Sequence, residues 1–144
     1  MDRLIIERKL DSLQRCLARI HDKTPDTVGK LENDLDLQDV LVLNLSRAVQ
    51  ICVDIAAHIL SERRQPPPDT MGQASDLLVR EQLLDAPLAE RLKRSVDFRN
   101  LAVHNYEAIN WAIVHSIATR HLQDFEDFAR QVIKFVSGRS QDVI

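Results

Sequence analysis

The most informative segment for the fold is residues 36–62, which read DLQDVLVLNLSRAVQICVDIAAHILSE. Along this segment, apolar side chains recur three or four residues apart: Leu37, Leu41, Leu45, Ala48, Cys52, Ile55 and Ile59. This spacing places them on one face of an α-helix. A second apolar line widens that face, formed by Val49, Val53, Ala56 and Leu60. We therefore expect a long helix that packs against two neighbouring helices.

Helical spacing of apolar residues continues on both sides of this segment. A first helix is predicted over about residues 2–21, followed by a break over residues 23–29 that contains a proline and a glycine. After the long helix, residues 65–69 include three consecutive prolines, which favour a stiff connector. A shorter helix is then predicted from near residue 70 to residue 84.

Two more helices complete the predicted fold. Asp85-Ala86-Pro87 is typical of a helix start, because an acid precedes a proline in the first turn. The last helix is predicted over about residues 110–137, with Gly138 as its stop. The sequence thus predicts an all-α protein, an up-and-down bundle of four main helices plus one short helix, as one domain covering residues 1–144.

Composition limits the possible functions. The 144 residues carry a formal net charge of −3 and only 4% aromatic side chains. Both values argue against a broad basic nucleic-acid-binding face and against stacking of single-stranded bases on several rings. Cys16 and Cys52 fall in apolar stretches and are predicted to be buried free thiols. No span approaches transmembrane length, so we expect a cytoplasmic protein without a membrane partner.

The candidate functional site lies at the carboxyl end of the fourth helix. Its apolar stripe of Leu88, Leu92 and Val96 continues at the same spacing to Asn100 and His104. These two polar side chains are one helical step apart and are predicted to touch, on a face that points inward. A polar group there needs partners or lines a cavity.

Arg99 neighbours this pair but lies about 140° from His104 around an ideal helix. The two side chains converge only if the helix loosens, if the arginine wraps round, or if a second copy completes the site; we favour a homodimer. Arg offers a charged fork that matches phosphate oxygens, and His moves protons near neutral pH. The pair suits metal-free cleavage of RNA, in which the ribose 2′-hydroxyl is the nucleophile. A hydrogen-bond network that only fixes helix packing is the alternative.

The octapeptide Arg99-Asn100-Leu101-Ala102-Val103-His104-Asn105-Tyr106 reproduces the R-x-x-x-x-H-x-Y motif of HEPN-domain ribonucleases. In its length and layout, the chain resembles the HepT toxins of HepT–MntA toxin–antitoxin systems. This resemblance implies a HEPN-like bundle, Arg99 and His104 as the catalytic pair of a metal-independent endoribonuclease, and Asn100 as the residue that positions His104. It also implies that a minimal nucleotidyltransferase antitoxin, MntA-like, modifies Tyr106 with AMP.

The resemblance further implies that two protomers pair with both motifs in one cleft, and that no cofactor or metal takes part. The RNA substrate remains open, with tRNA and mRNA both considered. For Tyr106, packing on Trp111 or Ile109 is the structural alternative. For the whole chain, two alternatives are a non-catalytic helical subunit that presents substrate or nucleotide to a nucleotidyltransferase, and a plain dimerisation module.

Overall fold

The computed structural model of the protein describes residues 3–63 and 70–141, so the predicted connector at residues 65–69 lies outside the described part. The chain forms helices in the order α1 (Arg3–Lys23), α2 (Val28–Glu32), α3 (Leu35–Glu62), α4 (Met71–Arg80), α5 (Ala86–His104), α6 (Trp111–Arg120) and α7 (Leu122–Gln141). A short 3₁₀ turn, Tyr106–Ala108, separates α5 from α6. These ranges contain no β-strand, and the prediction of an all-α HEPN-like bundle is confirmed.

The long helix α3 lies at the centre of the core. It contacts all the other α-helices, and its packing against α1 is the most extensive. The predicted inner stripe is buried from Leu41 to Ile59, while Leu37 at its start is partly buried. Side chains from both predicted apolar lines join a single hydrophobic cluster, which explains why this helix is so apolar.

By length and composition, α3 could also cross a membrane, so the expectation that no span approaches transmembrane length was wrong. This is weak evidence for a membrane protein, because the core helix of a soluble protein meets the same criterion. Half of the most apolar window is buried inside the fold. The apolar face of α3 is therefore used to pack other helices.

Side-chain caps fix where the helices begin. The Asp85 carboxylate accepts a hydrogen bond of 2.8 Å from the Leu88 backbone N–H, and Pro87 lies in the first turn, as predicted. Asp34 caps α3, Thr70 caps α4 and Asn110 caps α6 in the same manner. Each cap satisfies a backbone N–H that has no partner within the helix.

Three predicted boundaries were wrong. The predicted break at residues 23–29 instead leads into α2, which Thr27 caps and which contains Gly29. The predicted last helix is interrupted at His121, where α6 ends and α7 begins. Gly138 does not stop α7, which continues to Gln141; no glycine of the described chain adopts the positive φ that a glycine stop requires.

A fourth boundary also differs from the prediction, because α4 ends at Arg80 rather than at residue 84. Gln82 has a φ of 64°, in the left-handed region. The Leu83 N–H donates to the Leu78 carbonyl at 2.9 Å, and the Gln82 N–H donates to the Val79 carbonyl at 3.0 Å. These two bonds form a Schellman motif, which ends the helix without the usual glycine.

Candidate active site

The motif residues lie where α5 ends. His104 is the last residue of α5, and Asn105 leaves the helix with φ −151° while its N–H still donates to the Leu101 carbonyl. Asn100, His104 and Tyr106 are exposed, and Arg99 is half-buried. The prediction that Asn100 and His104 continue an inward stripe was therefore wrong, because the end of α5 carries them to the surface.

Arg99 is held by two neutral carboxamides. Its Nη1 donates to Gln50 Oε1 on α3, and its Nη2 donates to Asn100 Oδ1 at 3.3 Å. Its Nε is buried and has no hydrogen-bond partner within the described chain. No ion pair to Arg99 occurs in that part of the chain, so the guanidinium is oriented while its positive charge is not neutralised.

Gln50 is itself oriented by Asp54 on the same helix, and Asp54 pairs with Lys9 on α1. Its Nε2 donates to Asp54 Oδ1 at 2.8 Å, and the other oxygen of Asp54 accepts from Lys9 Nζ at 3.4 Å. This fixes the Gln50 amide so that its oxygen faces Arg99. The network joins α1, α3 and α5 around the arginine.

The predicted partnership of Asn100 with His104 does not occur in the structure. The Asn100 carboxamide accepts from Arg99, and among the described residues no hydrogen bond or ion pair involves the His104 imidazole. His104 is thus free to bind a ligand.

Tyr106 packs against an aromatic ring and also donates a hydrogen bond. Its ring meets that of Trp111 edge to face at a centroid distance of 6.0 Å, as the structural alternative expected. Its hydroxyl donates to Asp39 Oδ1 at 3.0 Å, and 40% of the residue remains exposed. Partial burial, followed by the hydrogen bond and the negative charge of Asp39, raises the pKa of Tyr106 to about 12.

One exposed face of α3 therefore contacts the motif at two points. Tyr106 contacts Asp39 and Arg99 contacts Gln50, which are about 16 Å apart along the helix axis. Asp39, Leu43, Arg47 and Gln50 follow each other four, four and three residues apart, the spacing of one helix face. Asp39 and Gln50 were not predicted as site residues, because their spacing places them on one face of α3 without indicating which element that face meets.

Other charged, imidazole and thiol side chains are used by the fold. Arg91 donates to Asp124 at 2.7 Å, and His115 Nε2 lies 2.8 Å from the Pro25 carbonyl oxygen. Cys16 and Cys52 are buried free thiols, as predicted. No group of three or more His, Cys, Asp or Glu side chains in the described ranges is arranged to hold a metal ion.

Comparison with known proteins identifies the family. The profile of the family described as Ribonuclease HepT-like matches residues 13–132. The chain belongs to the HepT-like ribonuclease family. The predictions of a HepT-like fold and of an endoribonuclease are thereby confirmed.

Individual relatives cover most of the chain. The mRNA nuclease HepT of Shewanella oneidensis is 37% identical over 86% of this chain and 92% of its own length. The tRNA nuclease HepT of Aphanizomenon flos-aquae is 26% identical over 92% and 90%, respectively. A solved structure of the tri-AMPylated Shewanella oneidensis HEPN toxin, in complex with MNT antitoxin, is 37% identical with a TM-score of 0.84, covering 93% of this chain and 98% of that toxin.

Proposed function

We propose that this HepT-like chain is the toxin of a toxin–antitoxin pair, a metal-independent endoribonuclease in which Arg99 and His104 cleave RNA. The observation that carries the proposal is the environment of Arg99. Gln50 and Asn100 orient the guanidinium through neutral oxygens, so its charge stays available for a phosphate. A purely structural arginine at this position would be expected to pair with a carboxylate.

The chemistry needs only the RNA and these side chains. A His104 imidazole takes the proton from a ribose 2′-hydroxyl, and the 2′-oxygen attacks the adjacent phosphorus. The bond from phosphorus to the 5′-oxygen breaks, and this oxygen takes a proton from an imidazolium. Arg99 stabilises the negative charge that develops on the phosphate oxygens. The products are a 2′,3′-cyclic phosphate and a free 5′-hydroxyl.

A homodimer resolves the orientation of the two side chains. Because α5 remains helical through His104, Arg99 and His104 stay on different faces of it. Two copies related by a two-fold axis bring Arg99 of one protomer and His104 of the other to one phosphate. The imidazolium that forms when His104 takes the proton of the 2′-hydroxyl then gives that proton to the leaving 5′-oxygen.

Tyr106 is the proposed regulatory site. It is two residues from His104 and exposed, and AMP attached to its hydroxyl adds negative charge and bulk beside the phosphate path. The tri-AMPylated Shewanella oneidensis toxin in complex with MNT antitoxin supports an MntA-like nucleotidyltransferase as the partner that modifies it. We place both reactions in the cytoplasm, where RNA and ATP are present.

The test is cleavage of labelled RNA by the purified, unmodified protein with a chelator present. We expect cleavage by the wild type, loss of at least about 100-fold in Arg99→Ala and in His104→Ala, and no change in Arg80→Ala or His21→Ala, which alter exposed residues elsewhere. A single 2′-deoxy nucleotide at the cleaved position should block the reaction. Equal activity of all variants would refute the catalytic assignment, and a wild type that cuts no RNA would favour the non-catalytic subunit.

A further inference from the structure

A groove rich in arginine runs between α1 and α3. It is open to solvent, with a volume of about 560 Å³. Ser12, Arg15 and Arg19 line it from α1, and Asn44, Arg47 and Gln50 line it from α3. Among the described residues, no acidic side chain lines this groove, although the chain as a whole has a net charge of −3.

The arginines of the groove are not used by the fold. Arg15 donates to Ser12 Oγ at 3.0 Å, and no hydrogen bond or ion pair to Arg19 or Arg47 occurs among the described residues. Burial raises the pKa of the Cys16 thiol, which also lines the groove, and the positive charges of Arg47 and Arg15 oppose this increase. An exposed arginine that has no carboxylate partner among the described residues is suited to bind an external anion.

The groove is continuous with the catalytic end of α5. Gln50 lines the groove and also accepts the hydrogen bond from Arg99. A chain of phosphates lying along α1 and α3 would therefore arrive at the guanidinium that is proposed to bind the scissile phosphate. From Ser12 to Arg19 the helix advances about 10 Å, which accommodates about two consecutive phosphates of an extended strand.

We propose that this groove binds the sugar–phosphate backbone of the RNA strand next to the scissile phosphate, with Arg15, Arg19 and Arg47 as phosphate ligands. The inference rests on the proposed function, since it gives the same site its substrate path. No aromatic side chain of the described ranges lines the groove, so it holds the backbone without stacking bases and selects no sequence. A protein with a net negative charge can bind RNA phosphates through a few clustered arginines, whereas a broad basic face would not fit its composition.

The experiment measures RNA binding by a full-length, non-cleaving His104→Ala background, using a labelled single-stranded RNA over a series of salt concentrations. The test variant adds Arg19→Gln and Arg47→Gln. The matched control adds Arg80→Gln and Arg120→Gln, two exposed arginines that do not line the groove. Thermal unfolding of each protein verifies that the fold is kept.

We expect the groove variant to bind about tenfold more weakly and to lose about 1.4 from the slope of log affinity against log salt, at about 0.7 per lost phosphate contact. The control variant should bind RNA with the same affinity and salt dependence as the His104→Ala protein. Unchanged affinity and slope in the groove variant would overturn the inference, as would normal RNA binding combined with loss of complex formation with the antitoxin.

Cleavage by proteins with His104 intact separates this inference from the proposed function. A wild type that binds RNA through the groove but cuts none refutes the proposed function and leaves the groove assignment in place. If the wild type cleaves RNA and the groove substitutions leave RNA binding unchanged, only the assignment of the groove is refuted. If both are correct, the two groove substitutions raise KM and change kcat little, because they remove binding rather than chemistry.

Discussion

The hydroxyl of Tyr106 donates a hydrogen bond of 3.0 Å to the carboxylate of Asp39, which joins the turn after α5 to the second turn of α3. The bond fixes the exposed phenol next to the proposed catalytic end of α5. It also links the proposed modification site to the same face of α3 that orients Arg99 through Gln50.

The first prediction concerns the ionisation of Tyr106. Since this is the only tyrosine in the chain, its titration can be followed by tyrosinate absorbance without interference from another phenol. We expect a pKa of about 12 in the wild type and a lower pKa in Asp39→Asn, because the substitution removes the negative charge. Asp36→Asn, an exposed acid on the same helix, should leave the pKa unchanged. Equal titration of all three proteins would contradict the assigned bond.

The raised pKa of Tyr106 also makes the free energy of unfolding depend on pH. The pKa of Tyr106 is raised on folding, so its contribution is fully present below pH 10, near the ordinary pKa, and is lost as the pH rises toward 12. The difference in free energy of unfolding between the wild type and Asp39→Asn should therefore shrink over this window. Chemical denaturation at several pH values would measure it, and a difference that grows above pH 10 would have the wrong sign.

The second prediction concerns modification. Tyr106→Phe keeps the ring that packs on Trp111 but removes the hydroxyl. With the nucleotidyltransferase and ATP, intact mass should show added AMP on the wild type and none on Tyr106→Phe, which should keep its ribonuclease activity. AMP addition to the phenylalanine variant would place the modification elsewhere.

The third prediction tests the neutral environment of Arg99. Gln50→Glu keeps the hydrogen-bond acceptor but places a negatively charged carboxylate beside the Arg99 guanidinium. Gln50→Met removes the acceptor without adding a charge. We expect RNA cleavage to fall about tenfold in the methionine variant and further in the glutamate variant, because neutralising Arg99 weakens its hold on the phosphate. A glutamate variant as active as the wild type would show that the charge is not needed.

The fourth prediction concerns the end of α4. Gln82 adopts a left-handed backbone conformation that costs free energy for residues other than glycine. Gln82→Gly should stabilise the protein by about 1 kcal/mol, measured by urea denaturation. Ala18→Gly, at an exposed position in the middle of α1, should instead destabilise it by about 1 kcal/mol. Destabilisation by both would contradict the assigned conformation.

Much of the fold was predictable because local patterns determined it. The spacing of apolar residues located α3, and the acid followed by a proline located the start of α5. The break at His121 was not predictable, because the apolar spacing of Val114, Ala118 and Phe125 continues across it. The break depends on tertiary packing: α6 contacts α2, whereas α7 contacts α5, where Arg91 bonds to Asp124 in the first turn of α7.

The site was predictable in its motif but not in its surroundings. The spacing of Arg99, His104 and Tyr106 is local, whereas the partners of Arg99 and Tyr106 come from a helix about 50 to 70 residues earlier in the chain. Polar residues on the outer face of α3 gave no sign of which of them would meet α5. The assumed contact between Asn100 and His104 failed because the arginine beside Asn100 competes for the same carboxamide.

The most direct measurement is complementation between two inactive variants. Arg99→Ala and His104→Ala are purified separately, mixed under conditions that allow protomers to exchange, and assayed for RNA cleavage. If Arg99 of one protomer acts with His104 of its partner, each mixed dimer regains one intact site, and activity returns to about one quarter of the wild-type value. If the mixture stays as inactive as its two components although mixed dimers are present, the two side chains do not meet across a dimer and the account is wrong.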